Sequence, residues 1–150
     1  MNIRLARVND LLGMQACNLQ GLPENNKLPF YLHHLLTWPS LSFVAEDHHH
    51  IIGYILAKIM DGADGLLHGH VKSLCVRRSY RRLGIATKLV IQSRQAMSVI
   101  YRATFVSLSV RKSNYAAIAL YRNALGFIDI GIKSHHYADG EDAYSMKLML

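Results

Sequence analysis

The sequence contains no long apolar run and almost no cysteine. No stretch approaches the ~20 apolar residues that a membrane-spanning helix needs, and the opening Met1-Asn2-Ile3-Arg4 carries no signal-peptide pattern. We therefore expect neither membrane association nor export, and place the chain in the cytoplasm, with the nucleus as a second location. The two cysteines, Cys17 and Cys75, have neither metal-binding nor redox spacing, which favours free buried thiols.

Acidic residues are also scarce. The chain has 10 Asp and Glu against 17 Lys and Arg, a net charge of +7. This excess favours negatively charged partners such as nucleotides, nucleic acid, a ribosome or an acidic protein. Apolar residues make up 51% and charged residues 18% of the 150 residues, which is typical of one globular domain, here taken as residues 1–150.

The apolar periodicity predicts seven strands and four helices in the order β-α-α-β-β-β-α-β-α-β-β. The strands are predicted over residues 3–8, 42–46, 51–59, 66–76, 104–110, 127–132 and 144–148, and the helices over about 11–22, 30–36, 83–100 and 114–121. Asn9 and Asp10 are suited to cap the first helix. Three consecutive strands with short turns predict an antiparallel meander. The expected fold class is α/β, with one mixed central sheet flanked by helices.

A basic loop lies between the predicted strand that ends at residue 76 and the helix that follows. Its segment Arg81-Arg82-Leu83-Gly84-Ile85-Ala86 fits the pattern Q/R-x-x-G-x-G/A. Small residues let the backbone approach a ligand, while the free N–H groups and dipole of the first helical turn attract an anion such as a diphosphate. The pattern alone fits a solvated basic loop equally well. The phosphate loop G-x-x-x-x-G-K-[ST] of NTPases is missing.

A second motif lies downstream, where Asn114 and Tyr121 are seven residues apart and share one helix face. With the basic loop, it resembles the GNAT superfamily of acetyl-CoA-dependent acetyltransferases. The resemblance implies that acetyl-CoA is the cofactor and that Tyr121 protonates the departing sulfur. The cofactor-binding residues that it implies are Leu74, Cys75, Val76, Arg81, Arg82, Leu83, Gly84, Ile85, Ala86, Thr87, Asn114, Ala117 and Tyr121. Without the resemblance, Asn114 would be interpreted as a helix cap and Tyr121 as a core aromatic.

Four segments make the resemblance more specific than the superfamily: L-P-E-N at 22–25, H-G-H at 68–70, R-K-S-N at 111–114 and Y-A-D-G-E-D-A-Y at 137–144. They resemble the catalytic subunits of N-terminal acetyltransferase A. The resemblance implies direct acetyl transfer to the α-amine of polypeptides. It implies Ser, Ala, Thr or Gly N-termini with an auxiliary subunit and acidic N-termini without it. The implied partners are polypeptide N-termini, a helical-repeat auxiliary subunit bound through the first helices, and a nearby ribosome.

The same resemblance places the acceptor between two loops, residues 22–26 and 134–142. The substrate-binding residues that it implies are Leu22, Pro23, Glu24, Asn25, Ser73 and Tyr137. Glu24 would be catalytic, holding the α-amine or taking its proton through water; an amine with a pKa of ~7.7–8.0 needs only a weak base. Without the resemblance, Glu24 is an exposed loop acid. The chain departs from the family at Asn26, where an aromatic is usual, and at Tyr115, where a basic residue is usual.

Three other functions remain open on the sequence. A lysine or small-amine acetyltransferase would have the same fold. The basic cluster would suit a ribosome-binding or nucleic-acid-binding module without catalysis, although no aromatic stacking motif is interleaved with it. A third alternative is a subunit that is inactive without its partner. We predict no metal site, because consecutive turn residues such as His48, His49 and His50 point apart. His68 and His70 are expected on one strand face as hydrogen-bonding residues.

Overall fold

The computed structural model describes residues 1–22 and 26–150. The strands are β1 (Asn2–Leu5), β2 (Phe43–Asp47), β3 (His50–Asp61), β4 (Leu67–Val76), β5 (Phe105–Arg111), β6 (Ile128–Lys133) and β7 (Ala143–Met149). The helices are α1 (Leu11–Gly21), α2 (Leu28–Thr37), α3 (Ile85–Val99) and α4 (Tyr115–Ala119), which continues as a π-helical turn over Leu120–Ala124. The predicted element order is confirmed, with bounds that shift by a few residues. None of the described helices is long and apolar enough to cross a membrane.

The strands form one seven-stranded sheet in the order β1-β2-β3-β4-β5-β7-β6. The predicted meander is confirmed, because β2, β3 and β4 pair antiparallel in sequence. Strand β4 then pairs parallel with β5, after the crossover through α3. The sheet is therefore mixed, as expected for the predicted α/β class.

Helices cover the two faces of the sheet differently. On one face, α3 and α4 bury a large core in which Leu89 and Met97 pack with Val106 and Leu108 of β5. On the other face, α1 and α2 bury a smaller core whose described strand residues come from β2, β3 and the end of β4. Burying each large apolar side chain contributes ~1.5–3 kcal/mol. Within the described ranges, no residue of β5, β6 or β7 belongs to this smaller core, so that part of the sheet face stays open.

Three local predictions need correction. The third helix begins at Ile85 rather than Leu83, because Gly84 takes a left-handed conformation with φ of +77° and leaves Leu83 59% exposed. Asp10 does not cap α1; its carboxylate accepts hydrogen bonds from Arg4 and from the Arg7 N–H. The helix over 114–121 is α-helical for only five residues before it widens into the π-helical turn.

The histidine-rich turn lies at the tip between β2 and β3. His48 and His49 have positive φ, and all three consecutive histidines are exposed. Residues 1–22 and 26–150 contain no group of three or more His, Cys, Asp or Glu side chains that could hold a metal ion.

Candidate active site

Strands β4 and β5 separate in the middle of the sheet. Their parallel pairing ends at Val71 and Leu108, whereas β4 continues to Val76 and β5 to Arg111. Two cavities open along this gap. Because neither strand edge is paired with the other there, backbone N–H and C=O groups can reach a ligand placed in the gap.

The start of α3 forms the first wall of the gap. The first intrahelical hydrogen bond joins Lys88 N–H to Gly84 O at 3.1 Å. The N–H groups of Ile85, Ala86 and Thr87 therefore have no acceptor inside the helix, and the helix dipole adds positive potential there. Gly84 is needed for its φ of +77°, which costs any other residue strain. The result is a seat for an anionic group.

This seat belongs to a cavity of about 490 Å³, here called the α3 cavity. Its lining includes all the predicted cofactor-binding residues except Leu83, whose side chain points to solvent: Leu74, Cys75, Val76, Arg81, Arg82, Gly84, Ile85, Ala86, Thr87, Asn114, Ala117 and Tyr121. Gly21, Leu22, Tyr80, Ala116 and Leu120 also line it. Of these, Ala116 and Leu120 could have been inferred from their spacing to Ala117 and Tyr121 on the helix.

The lining of the α3 cavity suits both the diphosphate and the pantetheine arm of coenzyme A. Arg81, Arg82 and the α3 amides offer positive charge and donors to the diphosphate. Leu74 and Leu120 offer an apolar wall to the pantetheine arm. The Arg81 side chain is held in place, because its Nε donates to Val76 O at 3.1 Å.

A second cavity of about 230 Å³, here called the acceptor cleft, meets the α3 cavity at the gap. The two cavities share Leu22, Leu74, Asn114, Ala117 and Tyr121. The acceptor cleft is further lined by Asn26, Phe30, Val71, Lys72, Ser73, Leu108, Ser109, Val110, Arg111 and Tyr137. Two ligands that enter from opposite sides would therefore meet beside Tyr121.

The π-helical turn sets the position of Tyr121. Leu125 N–H bonds to Leu120 O at 3.0 Å, and Phe127 N–H bonds to Tyr121 O at 2.8 Å. Tyr121 is only 6% exposed, and its ring packs edge-on against Phe127. Burial raises the pKa of the Tyr121 hydroxyl above its usual value, so the group holds its proton at neutral pH. Tyr121 is thus a core aromatic that also lines both cavities at their junction, and its role as proton donor stays a prediction.

Asn114 also has two roles. It is the N-cap of α4, and its side-chain oxygen accepts from Ala117 N–H at 3.3 Å. The same residue lines both cavities. The helix cap and the functional position are therefore compatible interpretations of this asparagine.

A buried hydrogen-bond network lies below the acceptor cleft. Tyr54 OH donates to Asn18 Oδ1 at 2.7 Å and lies 2.7 Å from Ser73 Oγ. Ser73 was predicted to bind substrate, and this network fixes its hydroxyl. Tyr54 and Asn18 could not be predicted from the sequence, because they come from β3 and α1 and only the fold brings them together.

The two cysteines meet at the end of α1. Cys75 Sγ lies 3.5 Å from Cys17 O, and both residues are buried free thiols, which confirms the prediction. The hydrogen bond with Cys75, together with burial, raises the pKa of Cys17. A side chain at Gly21 would overlap Cys75 Sγ, so this glycine lets α1 approach β4.

The loop between β6 and β7 forms the outer wall of the acceptor cleft. The Arg111 guanidinium lies 4.0 Å from the centroid of the Tyr137 ring. Its Nη1 also bonds to Asp139 at 2.8 Å and to Glu141 at 2.9 Å. Arg111 therefore ties the loop to β5 and holds Tyr137 over the cleft.

The opposite loop is described only in part. Leu22 and Asn26 line the acceptor cleft. The predicted residues Pro23, Glu24 and Asn25 lie outside the described residues, so their assigned roles stay predictions.

Comparison with known proteins agrees with this geometry. The sequence model of the acetyltransferase (GNAT) family matches residues 12–127. The catalytic subunit of the N-terminal acetyltransferase A complex of Schizosaccharomyces pombe is 55% identical over 148 residues, covering 97% of this chain and 84% of the relative.

Two solved structures are also similar. Naa20 of Chaetomium thermophilum, in complex with a bisubstrate analogue, has a TM-score of 0.90 and 34% identity, covering 100% of this chain and 87% of that one. The NatB acetyltransferase complex bound to CoA and MES has a TM-score of 0.88 and 27% identity, covering 100% and 99%.

Proposed function

Because this chain belongs to the GNAT family of acetyltransferases, we propose that it is an N-terminal acetyltransferase, a catalytic subunit of the N-terminal acetyltransferase A type, which transfers acetyl from acetyl-CoA to the α-amine of polypeptides. The observation that carries this function is the junction of two cavities at the separated strands. One cavity has a seat for a diphosphate, and the other opens between two loops. Tyr121 lines both.

The α3 cavity is the acetyl-CoA site. The amides of Ile85, Ala86 and Thr87 would hold the diphosphate, with Arg81 and Arg82 beside them. Bound there, acetyl-CoA supplies the thioester whose acetyl group is transferred. The exposed backbone groups around Leu74 can donate a hydrogen bond to a carbonyl oxygen in the gap, which favours the charge that develops during attack.

The chain's own residues complete the transfer. Tyr121 holds a proton at its hydroxyl, in reach of a leaving sulfur at the junction. The Cys75 thiol is buried and bonded to Cys17 O, which favours direct attack by the amine over an acyl-enzyme. Ser73 and Tyr137 position the incoming backbone. Glu24 stays the predicted group for holding or deprotonating the amine. Positioning of the two substrates supplies much of the rate.

The function is tested with the purified chain, acetyl-CoA and two peptide sets. The first set begins with Ser, Ala, Asp or Glu and contains no lysine; the second has a blocked N-terminus and internal lysines. Release of free thiol and a mass gain of one acetyl group on the first set are the expected results. Acetylation confined to the second set would contradict an N-terminal acetyltransferase and favour the lysine alternative.

We further propose that an auxiliary subunit of helical repeats binds through α1 and α2. Leu12, Leu19 and Leu36 on these helices are 69%, 59% and 66% exposed, which supports a docking surface there. With the subunit we expect Ser, Ala, Thr or Gly N-termini to be preferred, and acidic ones without it. Co-expression followed by size-exclusion chromatography tests the complex, and Leu12→Glu with Leu36→Glu should break it. A complex that survives this pair would place the subunit elsewhere.

We also propose a cytoplasmic location close to ribosomes, with the nucleus as a second location. The net charge of +7 supports attraction to ribosomal RNA. Sedimentation of the tagged chain with ribosomes at low salt, and its release at high salt, is the expected result. Tagged chain that stays in the supernatant at both salt concentrations would contradict it.

A further inference from the structure

The sheet face that α1 and α2 leave open carries a group of basic side chains. We call it the basic shelf: Lys58 of β3, His68, His70 and Lys72 of β4, Lys133 of β6 and His136 of the following loop, all of which line one cavity of about 470 Å³. The strand register puts Lys58 opposite His70, and His70 opposite Ser107. Three neighbouring strands therefore present polar side chains in one row.

The positive charge of the shelf has no negative partner within the described part of the chain. No Asp or Glu is among the described residues that line the cavity. Within residues 1–22 and 26–150, Lys58, Lys72 and Lys133 make no salt bridge. Lys133 Nζ donates instead to Ser109 Oγ at 3.1 Å. Three like charges facing one cavity repel each other, so an anion placed among them would be attracted by all three.

The lowered pKa values of Lys72 and His70 agree with this clustering of positive charge. Burial, together with the nearby Lys58 and Lys133, lowers the pKa of Lys72. Burial, together with the nearby Lys72, Lys133 and Lys58, lowers the pKa of His70 to about 4, so this imidazole is neutral at neutral pH. Neutral His70, which lies 2.8 Å from Ser107 Oγ, is therefore a hydrogen-bonding group of the shelf.

The shelf continues directly from the acceptor cleft. The two cavities share Val71, Lys72, Ser109 and Tyr137. The cleft in turn reaches Tyr121, where the acetyl group is transferred. A polypeptide that enters with its amine at Tyr121 rises ~3.3 Å per residue in an extended conformation. Its second and third residues are therefore expected at the shelf. A site for a free anion would not need to be connected to the acceptor cleft.

We propose that the basic shelf binds the carboxylate side chain of the second or third residue of the acceptor polypeptide, so that acidic residues just behind the N-terminus favour acetylation. This inference rests on the proposed N-terminal acetyltransferase function and adds a second point of selection to it. The first residue is selected beside Tyr121, and the following ones are selected by charge on the open sheet face.

The test compares peptides that share their first residue. Three peptides begin Ser-Asp-Glu, Ser-Ala-Ala and Ser-Lys-Lys and are otherwise identical and lysine-free after position three. Three partly exposed lysines acting together are expected to raise kcat/KM for the first peptide about tenfold over the second, chiefly through KM. The difference should shrink at high salt, because the shelf is open to solvent.

Substitutions in the shelf separate charge from structure. Lys72→Gln with Lys133→Gln should abolish the preference for Ser-Asp-Glu, and Lys72→Glu with Lys133→Glu should reverse it toward Ser-Lys-Lys. Arg94→Gln with Arg102→Gln, on and just after α3, which packs on the other face of the sheet, is the matched loss of two charges and should keep the preference. Thermal melts and coenzyme A affinity verify that each variant is folded.

Binding of the three peptides is also measured directly, by fluorescence anisotropy with coenzyme A present. Absence of acetylation on all three would contradict the proposed function, while the anisotropy still decides on the shelf. Equal affinities and equal rates for the three peptides would overturn the inference. A preference for Ser-Asp-Glu that survives the Lys72→Glu and Lys133→Glu pair would overturn it as well.

Discussion

The two cavities that meet at Tyr121 are built in different ways. The α3 cavity depends on backbone groups and small residues that are close in sequence, with Gly84, Ala86 and the amides of one helical turn at its centre. The acceptor cleft and the basic shelf depend on side chains from loops and strands that are far apart in sequence, such as Leu22, Lys72, Arg111 and Tyr137.

This difference follows from what each cavity must recognise. A cofactor is always the same molecule, so a fixed backbone geometry serves it well. Polypeptides vary, and side chains can change at each position without disturbing the helix start that holds the cofactor. Substitutions on the two sides should therefore act on different measured constants.

Tyr121→Phe tests the point where the two cavities meet. Loss of the hydroxyl removes the proton donor, and kcat should fall by ~10²–10⁴-fold, as is typical for a general acid. Coenzyme A affinity should stay within about twofold, because the ring still fills its place beside Phe127. Isothermal titration and steady-state rates measure the two quantities.

Tyr115→Phe is the control for this substitution, since Tyr115 is 78% exposed. Because burial raises the pKa of Tyr121, its proton is retained above the ordinary value of ~10. The wild-type rate should therefore show no loss due to Tyr121 below about pH 10. A large drop in coenzyme A affinity in Tyr121→Phe would mean that the residue is structural only.

Gly84→Ala tests the backbone geometry of the α3 cavity. A left-handed conformation costs a non-glycine residue ~1–2 kcal/mol, so coenzyme A affinity should fall about tenfold as the loop relaxes. Gly65 has nearly the same φ, +76°, and lies in the turn between β3 and β4. Gly65→Ala should therefore lower the melting temperature similarly and leave the affinity intact. Equal loss of affinity in both variants would show that the effect is global.

Arg111→Gln tests the acceptor side. It removes the ties of Arg111 to Asp139, Glu141 and the Tyr137 ring, so the β6–β7 loop holds Tyr137 less firmly over the cleft. The peptide KM should rise roughly fivefold to tenfold, in line with the ~1 kcal/mol that a typical, partly exposed hydrogen bond contributes. Coenzyme A affinity should not change. Arg122→Gln breaks a more exposed pair with Asp129 and should leave both constants as they are. A fall in coenzyme A affinity would contradict the separation of the two sides.

Arg82→Ala should have the smallest effect. Arg82 is an exposed charge at the rim of the α3 cavity. Such a charge raises coenzyme A affinity only about twofold to fivefold. The effect should fade at high salt. Arg102 is also exposed and also has a positive φ, so Arg102→Ala controls for backbone strain. A salt-independent loss in Arg82→Ala would contradict a purely electrostatic role.

The sequence predicted the fold well because its signals are local. Alternating apolar residues identify strands such as β5, where Val106, Leu108 and Val110 face the core. The basic loop and the glycine before α3 follow each other directly along the chain. For these residues, spacing along the chain already fixes spacing in the structure.

Other features could not be predicted in this way. The π-helical turn that sets Tyr121 depends on packing against Phe127, and nothing in the residue types of 120–124 indicates it. The network of Asn18, Tyr54 and Ser73 joins α1, β3 and β4. The ties of Arg111 to the 134–142 loop bring together side chains about thirty residues apart.

The sequence by itself determined the α/β class, the order of the elements, the seat for an anionic group at the start of α3 and the family of the chain. It could do so because hydrophobic periodicity, glycine conformation and helix termini act over a few residues. The tertiary structure alone decided that α1 and α2 cover only part of one sheet face. That placement leaves Lys58, Lys72 and Lys133 in one open cavity beside the acceptor cleft, because burial and electrostatic repulsion depend on which distant residues the fold brings together.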